Sequence, residues 1–416
     1  MESCGSGRNF RRMRDYMGEP KSPPLKGIKV IELGTLIAGP SCARIFAEFG
    51  AEVIKIEAPD GGDQLRQWRK MYEGTSLWWY VQARNKKSVT VNLRTPEGQE
   101  IVRKLAADTD IVIENFRPGA LEKWNLGWEQ LSTINPRLIM VRLSGYGQSG
   151  PYRDRPGFGA VAEAMGGMRY VTGYPDRPPV RLGISIGDSI AALHGVIGAM
   201  MALHHRDVNG GRGQFVDVAL YEAVFNMMES LVPEFDVLGF IRERAGNALP
   251  GIVPSNTYPT RDGKFVIIGA NNDSIFKRLM TAIGRADLAN DPQLATNAGR
   301  VPRTGEIDRA TADWTQQHDL EQVLAALEQA EVPSGKVYDA ADILKDAHYA
   351  ARGMIEQHQL PDGKPVKLPG IVPKLSETPG VTAWLGPTLG AHNAEVLGAL
   401  GYSEIEQREL KQRGVI

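Results

Sequence analysis

Residues Ile28–Glu57 read IKVIELGTLIAGPSCARIFAEFGAEVIKIE, and this stretch decides the fold class. Two short runs rich in β-branched residues, Ile28–Leu33 and Glu52–Glu57, have the length and composition of buried strands. Between them, Ser41–Phe49 has the composition of a helix, and Gly50 is placed to end it. A strand, a helix and a second strand in immediate succession predict a βαβ unit, whose two strands are parallel.

The same alternation continues along the chain. We predict further strands at Ser88–Leu93, Asp110–Glu114 and Leu138–Leu143, with a helix at Glu97–Ala107 between the first two. Strands that alternate with helices favour a mostly parallel, doubly wound sheet with helices on both faces, which is a Rossmann-like α/β fold. Ligands of such sheets bind at the carboxyl ends of the strands.

The composition of the second half of the chain changes after Pro233. Before that point, Ser189–His205 is apolar nearly all round, as in a buried helix, and Phe215–Ala219 is a further strand. Beyond it, a loop rich in Gly and Pro leads to helices with long polar faces. We therefore expect a leader over residues 1–23, a large Rossmann-like domain over 24–231, a smaller α+β domain over 232–345 and a return segment over 346–416 that completes the large domain.

The composition indicates a soluble globular protein without a nucleic-acid or membrane partner. The 416 residues include 48 basic and 49 acidic side chains, so no net field recruits nucleic acid or an anionic membrane surface. No stretch approaches the roughly 20 apolar residues of a membrane span, and the leader lacks the apolar core of a secretory signal. The 2 cysteines form no disulfide framework, which suits a cytoplasmic location.

Common cofactor motifs do not occur in the sequence. Gly34–Pro40 follows the first strand but is not the G-x-G-x-x-G pattern of dinucleotide-binding folds, and there is no P-loop for ATP. The 7 histidines include one adjacent pair, His204 and His205, but neighbouring helical residues point in different directions. We therefore predict no metal site.

A single carboxylate, Asp188, opens the long apolar helix in the stretch GISIGDSIAALHG, which spans Gly183–Gly195. One interpretation is a helix cap, because Gly-Asp-Ser before an apolar run is typical of a helix N-terminus. The other is a nucleophile, because a helix N-terminus keeps a carboxylate ionised, and Gly183 and Gly187 leave room for an incoming carbonyl group. Composition alone leaves both interpretations open.

Several long stretches match a known family. They are the opening βαβ stretch, RNKKSVTVNLRTPEGQEIVRKLAADTDIVIENFRPGALEKWNLGWEQL, PRLIMVRLSGYGQSGPY, GISIGDS, GGRGQFVDVALYEAV and GPTLGAHNAEVL. Together they resemble the class III CoA-transferases, of the formyl-CoA and carnitine CoA-transferase type, from about Pro24 to the last residues. The resemblance implies a Rossmann-like large domain built from both chain ends, a small domain from the middle, and two subunits interlocked as a homodimer.

The resemblance also implies a role for Asp188 and a binding site for coenzyme A. In this family the aspartate at this position attacks an acyl-CoA thioester and then carries CoA as an aspartyl-CoA thioester. The implied co-substrates are an acyl-CoA and a small carboxylic acid, without a metal. The corresponding CoA-binding residues are Ile37, Ala38, Asn115, Lys123 and Tyr146, and the loop cations Arg84, Lys86 and Lys87 are further candidates for its phosphates.

Departures from the family pattern concern the acceptor. Gly251 alone remains of the glycine run that closes over the reacting anhydride in the formyl-CoA type, and Ile37 and Ser144 replace a glutamine and a lysine. These changes argue against oxalate. The stretches GISIGDS and LPGIVPSNTYPT are most similar to members that move CoA from succinyl-CoA to small dicarboxylates such as malate, citramalate, itaconate or mesaconate. Arg169 and Arg181 are candidates to pair the distal carboxylate of such a substrate.

Two other functions share the expected fold. The α-methylacyl-CoA racemases need a His-Asp pair as one acid/base and a second acid at the position of Asp188, and Phe158 and Gly159 stand at the two positions of the pair here. A non-catalytic acyl-CoA-binding protein would keep the fold and the cations, but it has no need of Asp188 with its flanking glycines.

Overall fold

The computed structural model of the protein describes residues 22–416, and its central feature is a parallel six-stranded sheet. The first eight strands, numbered in chain order, are Lys29–Glu32 (β1), Glu52–Glu57 (β2), Met71–Tyr72 (β3), Thr75–Ser76 (β4), Lys86–Thr90 (β5), Ile111–Glu114 (β6), Ile139–Ser144 (β7) and Phe215–Ala219 (β8). The sheet order is β5-β2-β1-β6-β7-β8, and all neighbouring strands are parallel. The predicted parallel α/β sheet is confirmed.

The sheet has apolar layers on both faces because successive strand residues point in opposite directions. Val30 and Ile113 belong to one buried cluster, whereas Ile31 and Val112 belong to the other. The helices that accompany these strands are Ala38–Glu48 (α1), Leu77–Gln82 (α2), Pro96–Ala106 (α3), Ala120–Lys123 (α4), Trp128–Ile134 (α5), Gly159–Met165 (α6), Ile186–Val208 (α7) and Leu220–Phe225 (α8). The first cluster holds α1, α7 and α8, and the second holds α3 and α5.

The chain divides into two compact units, of which the first comprises residues 22–168, Leu182–Glu229 and Gly353–Ile416. The last of these segments returns to the parallel sheet: Asn92 N donates to Val415 O at 2.7 Å, and His392 N donates to Ser88 O at 3.0 Å. Segments far apart in the sequence therefore build one unit.

The second unit comprises Arg169–Arg181 and Ser230–Arg352. Its strands Ser255–Pro259 (β9), Phe265–Gly269 (β10) and Ser334–Lys336 (β11) form an antiparallel sheet in the order β11-β10-β9. Its helices are Leu231–Leu238 (α9), Asp273–Ala282 (α10), Ala286–Ala289 (α11), Asn297–Arg300 (α12), Thr304–Thr315 (α13), Leu320–Gln329 (α14), Ala340–Lys345 (α15) and Ala347–Ala351 (α16). The return segment of the first unit adds the hairpin Ile355–Gln359 (β12) and Pro365–Pro369 (β13) and the helices Asn393–Ala399 (α17) and Glu404–Gln412 (α18).

The segment 169–181 groups with the second unit, although the predicted division placed it in the large domain. Local hydrogen bonds are the reason. Gly246 N donates to Gly173 O at 2.8 Å, and Arg244 Nη1 donates to Tyr170 O at 2.9 Å. The domain boundaries at 231 and 345 stay a prediction, and the leader lies outside the described residues except for its last positions.

Helix α7 is longer than the predicted Ser189–His205, with 23 residues. It is long and apolar enough to cross a membrane by length and composition, so the expectation that no stretch comes close to this length is wrong. The same properties occur in core helices of soluble proteins. Here small residues on one side of α7 pack into the first unit; for example, a Cβ built on Gly195 would lie 3.2 Å from Cys42 Sγ. The absence of a membrane partner stays a prediction.

Candidate active site

Asp188 lies inside the first turn of α7. The helix begins at Ile186 with Ser185 as its N-cap residue, so Asp188 is the third residue of the helix and not its N-cap. The Asp188 side chain is partly exposed and sits where the helix dipole favours an ionised carboxylate. The nucleophile interpretation is compatible with this position and stays a prediction.

The Asp188 carboxylate packs against glycine backbone. Gly159 opens α6, and a Cβ built on it would lie 2.8 Å from Asp188 Cγ and would overlap Oδ2. A Cβ on Gly187 would lie 3.1 Å from Gly159 O, whereas a Cβ on Gly183 would meet nothing within 4 Å. The first turns of α6 and α7 therefore approach each other through glycines.

Tyr146 borders the segment that leads into α6. A Cβ built on Gly157 would lie 3.1 Å from Tyr146 Cε2, and the Tyr146 ring centroid is 6.2 Å from that of Tyr221 in α8. Because Gly157 is followed at once by Phe158 and Gly159, Tyr146 supports the loop that carries the backbone facing Asp188.

Asn115 organises the loop between β1 and α1. Its Oδ1 accepts a hydrogen bond from Thr35 N at 2.8 Å, and its Nδ2 donates to Thr35 O at 2.9 Å. A Cβ on Gly34 would lie 2.9 Å from Asn115 Oδ1, so a glycine permits this contact. Ile37 and Ala38 are buried where α1 begins, whereas Thr35 and Leu36 just before them are partly exposed. The structure therefore brings together three of the predicted CoA-binding residues.

A buried ionic network supports the same loop. Lys55 Nζ lies 2.6 Å from Glu32 Oε1, 2.8 Å from Asp63 Oδ2 and 2.9 Å from Gly34 O. Asp63 Oδ1 in turn accepts a hydrogen bond from Leu36 N at 2.9 Å. Burial by itself lowers the pKa of Lys55, but Asp63 and Glu32 outweigh it and raise the pKa above its usual value. The charged Lys55 and its partner Asp63 thus hold the backbone of the β1–α1 loop in place.

Two predicted phosphate ligands belong to the core instead. Arg84 is 2% exposed, and its Nη2 lies 2.6 Å from Glu48 Oε1. Lys86 is 1% exposed, with Nζ 2.6 Å from Glu32 Oε2 and 2.7 Å from Pro40 O; burial lowers the pKa of Lys86 to about 8 despite Glu32. The burial and the close partners of Arg84 and Lys86 argue against contact with a phosphate.

Lys87 is placed at the other end of its strand from the expected ligand. It is the second residue of β5, and its Nζ lies 2.6 Å from both Glu52 Oε1 and Glu395 Oε1. Ligands of parallel sheets bind at the carboxyl ends of strands. The position of Lys87 therefore argues against contact with CoA.

A cavity of about 670 Å³ lies at the carboxyl ends of β1, β2 and β5. Phe116 and Trp124 form an aromatic wall, with ring centroids 5.4 Å apart in an edge-to-face arrangement. Arg94 and Lys411 add positive charge to the lining, and Asp60 adds negative charge. Thr35 connects the cavity with the loop that Asn115 holds. Arg94, Phe116, Trp124 and Lys411 were missed by sequence reasoning, although Arg94 directly follows a predicted strand.

Lys123 is exposed and lies on α4 beside this cavity wall, one residue before Trp124. Arg142 ties that short helix to the sheet: its Nη2 lies 2.8 Å from Glu122 Oε1 and its Nε lies 2.9 Å from Glu114 Oε1. Burial raises the pKa of Glu114 to about 7, although Arg142 opposes the shift. The structure thus holds Lys123 near the cavity without burying it.

The predicted substrate-binding residues lie in the second unit. Arg181 and Gly251 are exposed, Arg169 is partly buried, and Gly251 has a φ of 77°, which glycine adopts without strain. Their contact with a substrate stays a prediction. Within residues 22–416, no three His, Cys, Asp or Glu side chains are grouped so that they could hold a metal ion.

The chain belongs to CoA-transferase family III, whose family model matches residues 25–393. Membership in this family makes the protein an enzyme, a family III CoA-transferase, and its CoA thioester is a substrate rather than a bound prosthetic group.

Similar proteins agree with this assignment over nearly the whole chain. A succinyl-CoA:D-citramalate CoA-transferase of Chloroflexus aurantiacus is 50% identical over 94% of this chain and 98% of its own length. The β subunit of a succinyl-CoA:L-malate CoA-transferase of the same organism is 42% identical over 96% of this chain and 100% of its own length. The crystal structure of a CaiB/BaiF family protein from Brucella suis is 35% identical, with a TM-score of 0.80 over 91% of this chain and 100% of that chain.

Proposed function

We propose that this enzyme transfers CoA from succinyl-CoA to a small dicarboxylate of the class that contains citramalate and malate, with itaconate and mesaconate as further candidates. Support for the substrate class comes from the two relatives named for succinyl-CoA with citramalate or malate. Arg169 and Arg181 are proposed to hold the distal carboxylate, because guanidinium groups bind carboxylates in a bidentate manner.

The observation that carries the mechanism is the Asp188 carboxylate, partly exposed in the first turn of α7 and packed against Gly159. Its oxygen attacks the succinyl-CoA carbonyl carbon, the C–S bond breaks, and CoA leaves as the thiolate. The thiolate then attacks the Asp188 acyl carbon of the resulting mixed anhydride, which releases succinate and forms an aspartyl-CoA thioester.

The second half of the proposed reaction repeats these steps in reverse. The acceptor carboxylate attacks the Asp188 acyl carbon and expels the CoA thiolate, which gives a new anhydride. The thiolate attacks the acceptor carbonyl carbon of this anhydride, so the new acyl-CoA forms and the Asp188 carboxylate is regenerated. No net proton transfer is needed, and for this reason a single carboxylate suffices.

We place the nucleotide part of CoA in the cavity at the edge of the sheet. Its aromatic wall offers Phe116 and Trp124 for the adenine ring, and Arg94, Lys411 and the nearby Lys123 offer positive charge for the phosphates. The loop of Thr35, Ile37 and Ala38 would then lie along the pantetheine chain.

The test is trapping of the covalent intermediate. Intact-mass spectrometry after incubation with succinyl-CoA, followed by borohydride or hydroxylamine and peptide mapping, should place the modification on Asp188. Asp188→Ala should abolish it, whereas Asp154→Ala, which removes a carboxylate that is 81% exposed in the same unit, should leave it unchanged. Labelling with a different acyl-CoA alone would overturn the donor. Absence of labelling with every acyl-CoA would overturn the mechanism.

The interlocked homodimer and the cytoplasmic location remain predictions. Light scattering of the purified protein would test the former, and fractionation of the source cells would test the latter.

A further inference from the structure

Gly159 occupies a position where its lack of a side chain has a specific consequence. A glycine is often required because its φ lies in the left-handed region, but Gly159 is not among the glycines with positive φ. Its backbone conformation is therefore open to any residue, and the reason for glycine must be spatial.

The space that a side chain would fill at Gly159 is taken by the Asp188 carboxylate. A Cβ would overlap Oδ2 and would lie 2.8 Å from Cγ and 3.3 Å from Oδ1. The backbone of α6 cannot retreat easily, because Gly159 O is itself close to Gly187 and α6 is packed against α8 through Gly166, whose Cβ would lie 2.7 Å from Val224 Cγ1. An added methyl group would therefore displace the carboxylate.

We propose that Gly159 is a positioning residue for Asp188: the vacant side-chain position on α6 fixes where the carboxylate stands. This inference rests on the proposed function for its catalytic meaning.

The first test is a double-mutant cycle on thermal stability, which does not depend on activity. Gly159→Ala should lower the melting temperature in the presence of Asp188, and the loss should disappear when Asp188→Ala removes the carboxylate. Gly183→Ala is the matched control, because a Cβ at Gly183 meets nothing within 4 Å. If Gly159→Ala lowers the melting temperature equally with and without the Asp188 carboxylate, the proposal is overturned. If Gly159→Ala fails to fold alone but folds in combination with Asp188→Ala, the proposal is supported.

The second test follows the reaction of Asp188 itself. In single-turnover experiments with succinyl-CoA, Gly159→Ala should slow formation of the Asp188 adduct by about 100-fold, since a displacement of about 1 Å has this effect on a reacting group. The Kd for succinyl-CoA should stay within about twofold of the unmodified protein. An unchanged adduct rate would overturn the positioning role.

The two ideas can fail separately. If the unmodified protein forms no adduct while the stability cycle still couples Gly159 with Asp188, the proposed function falls and the positioning of the carboxylate stands. If the adduct forms at Asp188 and the cycle shows no coupling, the function stands and the positioning role falls.

Discussion

Two regions of the first unit use carboxylates in opposite ways. Under the β1–α1 loop, Glu32 and Asp63 are buried and share Lys55, and every one of these charges has a partner within 2.8 Å. At the start of α7, Asp188 is partly exposed and has the backbone of Gly159 as a close neighbour. The first arrangement fixes the position of the main chain, whereas the second leaves a carboxylate accessible from solvent.

The comparison indicates that burial distinguishes carboxylates with a structural role from carboxylates that are able to react. A charge removed from water loses several kcal/mol of solvation, and only close partners offset that loss. Such a carboxylate is held too firmly to attack a substrate. A carboxylate in the first turn of a helix receives milder support from the helix dipole, so it stays ionised and can still react.

The largest expected effect concerns turnover at the accessible carboxylate. Asp188→Asn keeps the shape of the side chain but removes the proposed nucleophile, so turnover with succinyl-CoA should fall by about 10⁴-fold or more. The free energy of unfolding should change by less than about 1 kcal/mol, because the side chain is partly exposed. Turnover measured by release of succinate, together with urea denaturation, checks both parts. A stability loss as large as that of the network variants would break the comparison.

The next largest effect concerns stability at the network. Lys55→Met leaves Glu32 and Asp63 buried without their shared cation, so the free energy of unfolding should fall by about 3 to 5 kcal/mol. Lys29→Met is the control, because it removes an exposed ion pair with Asp108 and such pairs contribute about 0 to 1 kcal/mol. Chemical denaturation of both variants gives the comparison, and similar losses in the two would show that Lys55 is not structural.

A smaller effect is expected in the proposed CoA cavity. Arg94→Ala removes one charged contact to a phosphate, so the KM for succinyl-CoA should rise by about 10- to 100-fold with little change in kcat. Lys123→Ala should act in the same direction. Lys367→Ala removes an exposed cation of the first unit that does not line the cavity, and it serves as the control. A KM that stays the same in Arg94→Ala would place the nucleotide elsewhere.

The sequence sufficed for the features that depend on local pattern. Runs rich in β-branched residues such as Glu52–Glu57 are buried strands, and Asp188 stood out because it follows Gly183 and Gly187 and opens an apolar helix. Prediction from the sequence failed for side chains whose ion-pair partners are distant along the chain. Arg84 and Lys86 look like surface cations in the sequence, and only folding brings Glu48 and Glu32 beside them.

The cavity was missed for a related reason. Its lining contains residues that follow different strands, together with Lys411 from the last helix. No local sequence motif indicates that these residues lie close together in the fold. The contact between Gly159 and Asp188 is similar, because α6 and α7 are separated by a segment that belongs to the second unit. Close approach of two backbones is determined by tertiary packing, and the only sign of it in the sequence is a glycine.

The smallest expected effect is a change in pH dependence at the network. Burial by itself raises the pKa of Asp63, but Lys55 and the N–H groups of Leu65 and Leu36 outweigh it and hold the pKa below its usual value. A carboxyl with a depressed pKa stabilises the fold above its unfolded pKa, about 4, and this contribution is lost as the pH falls through the lower folded value.

Asp63→Asn removes this contribution while keeping the size of the side chain. Its unfolding free energy should therefore lie about 1 to 2 kcal/mol below that of the unmodified protein at pH 7, and the gap should shrink as the pH falls below about 4. Urea denaturation at a series of pH values measures the gap. Asp154→Asn, at an exposed position, should show no such gap at any pH. A gap that widens in acid would mean that Asp63 is protonated in the fold at neutral pH, and the ionic description of the network would then be wrong.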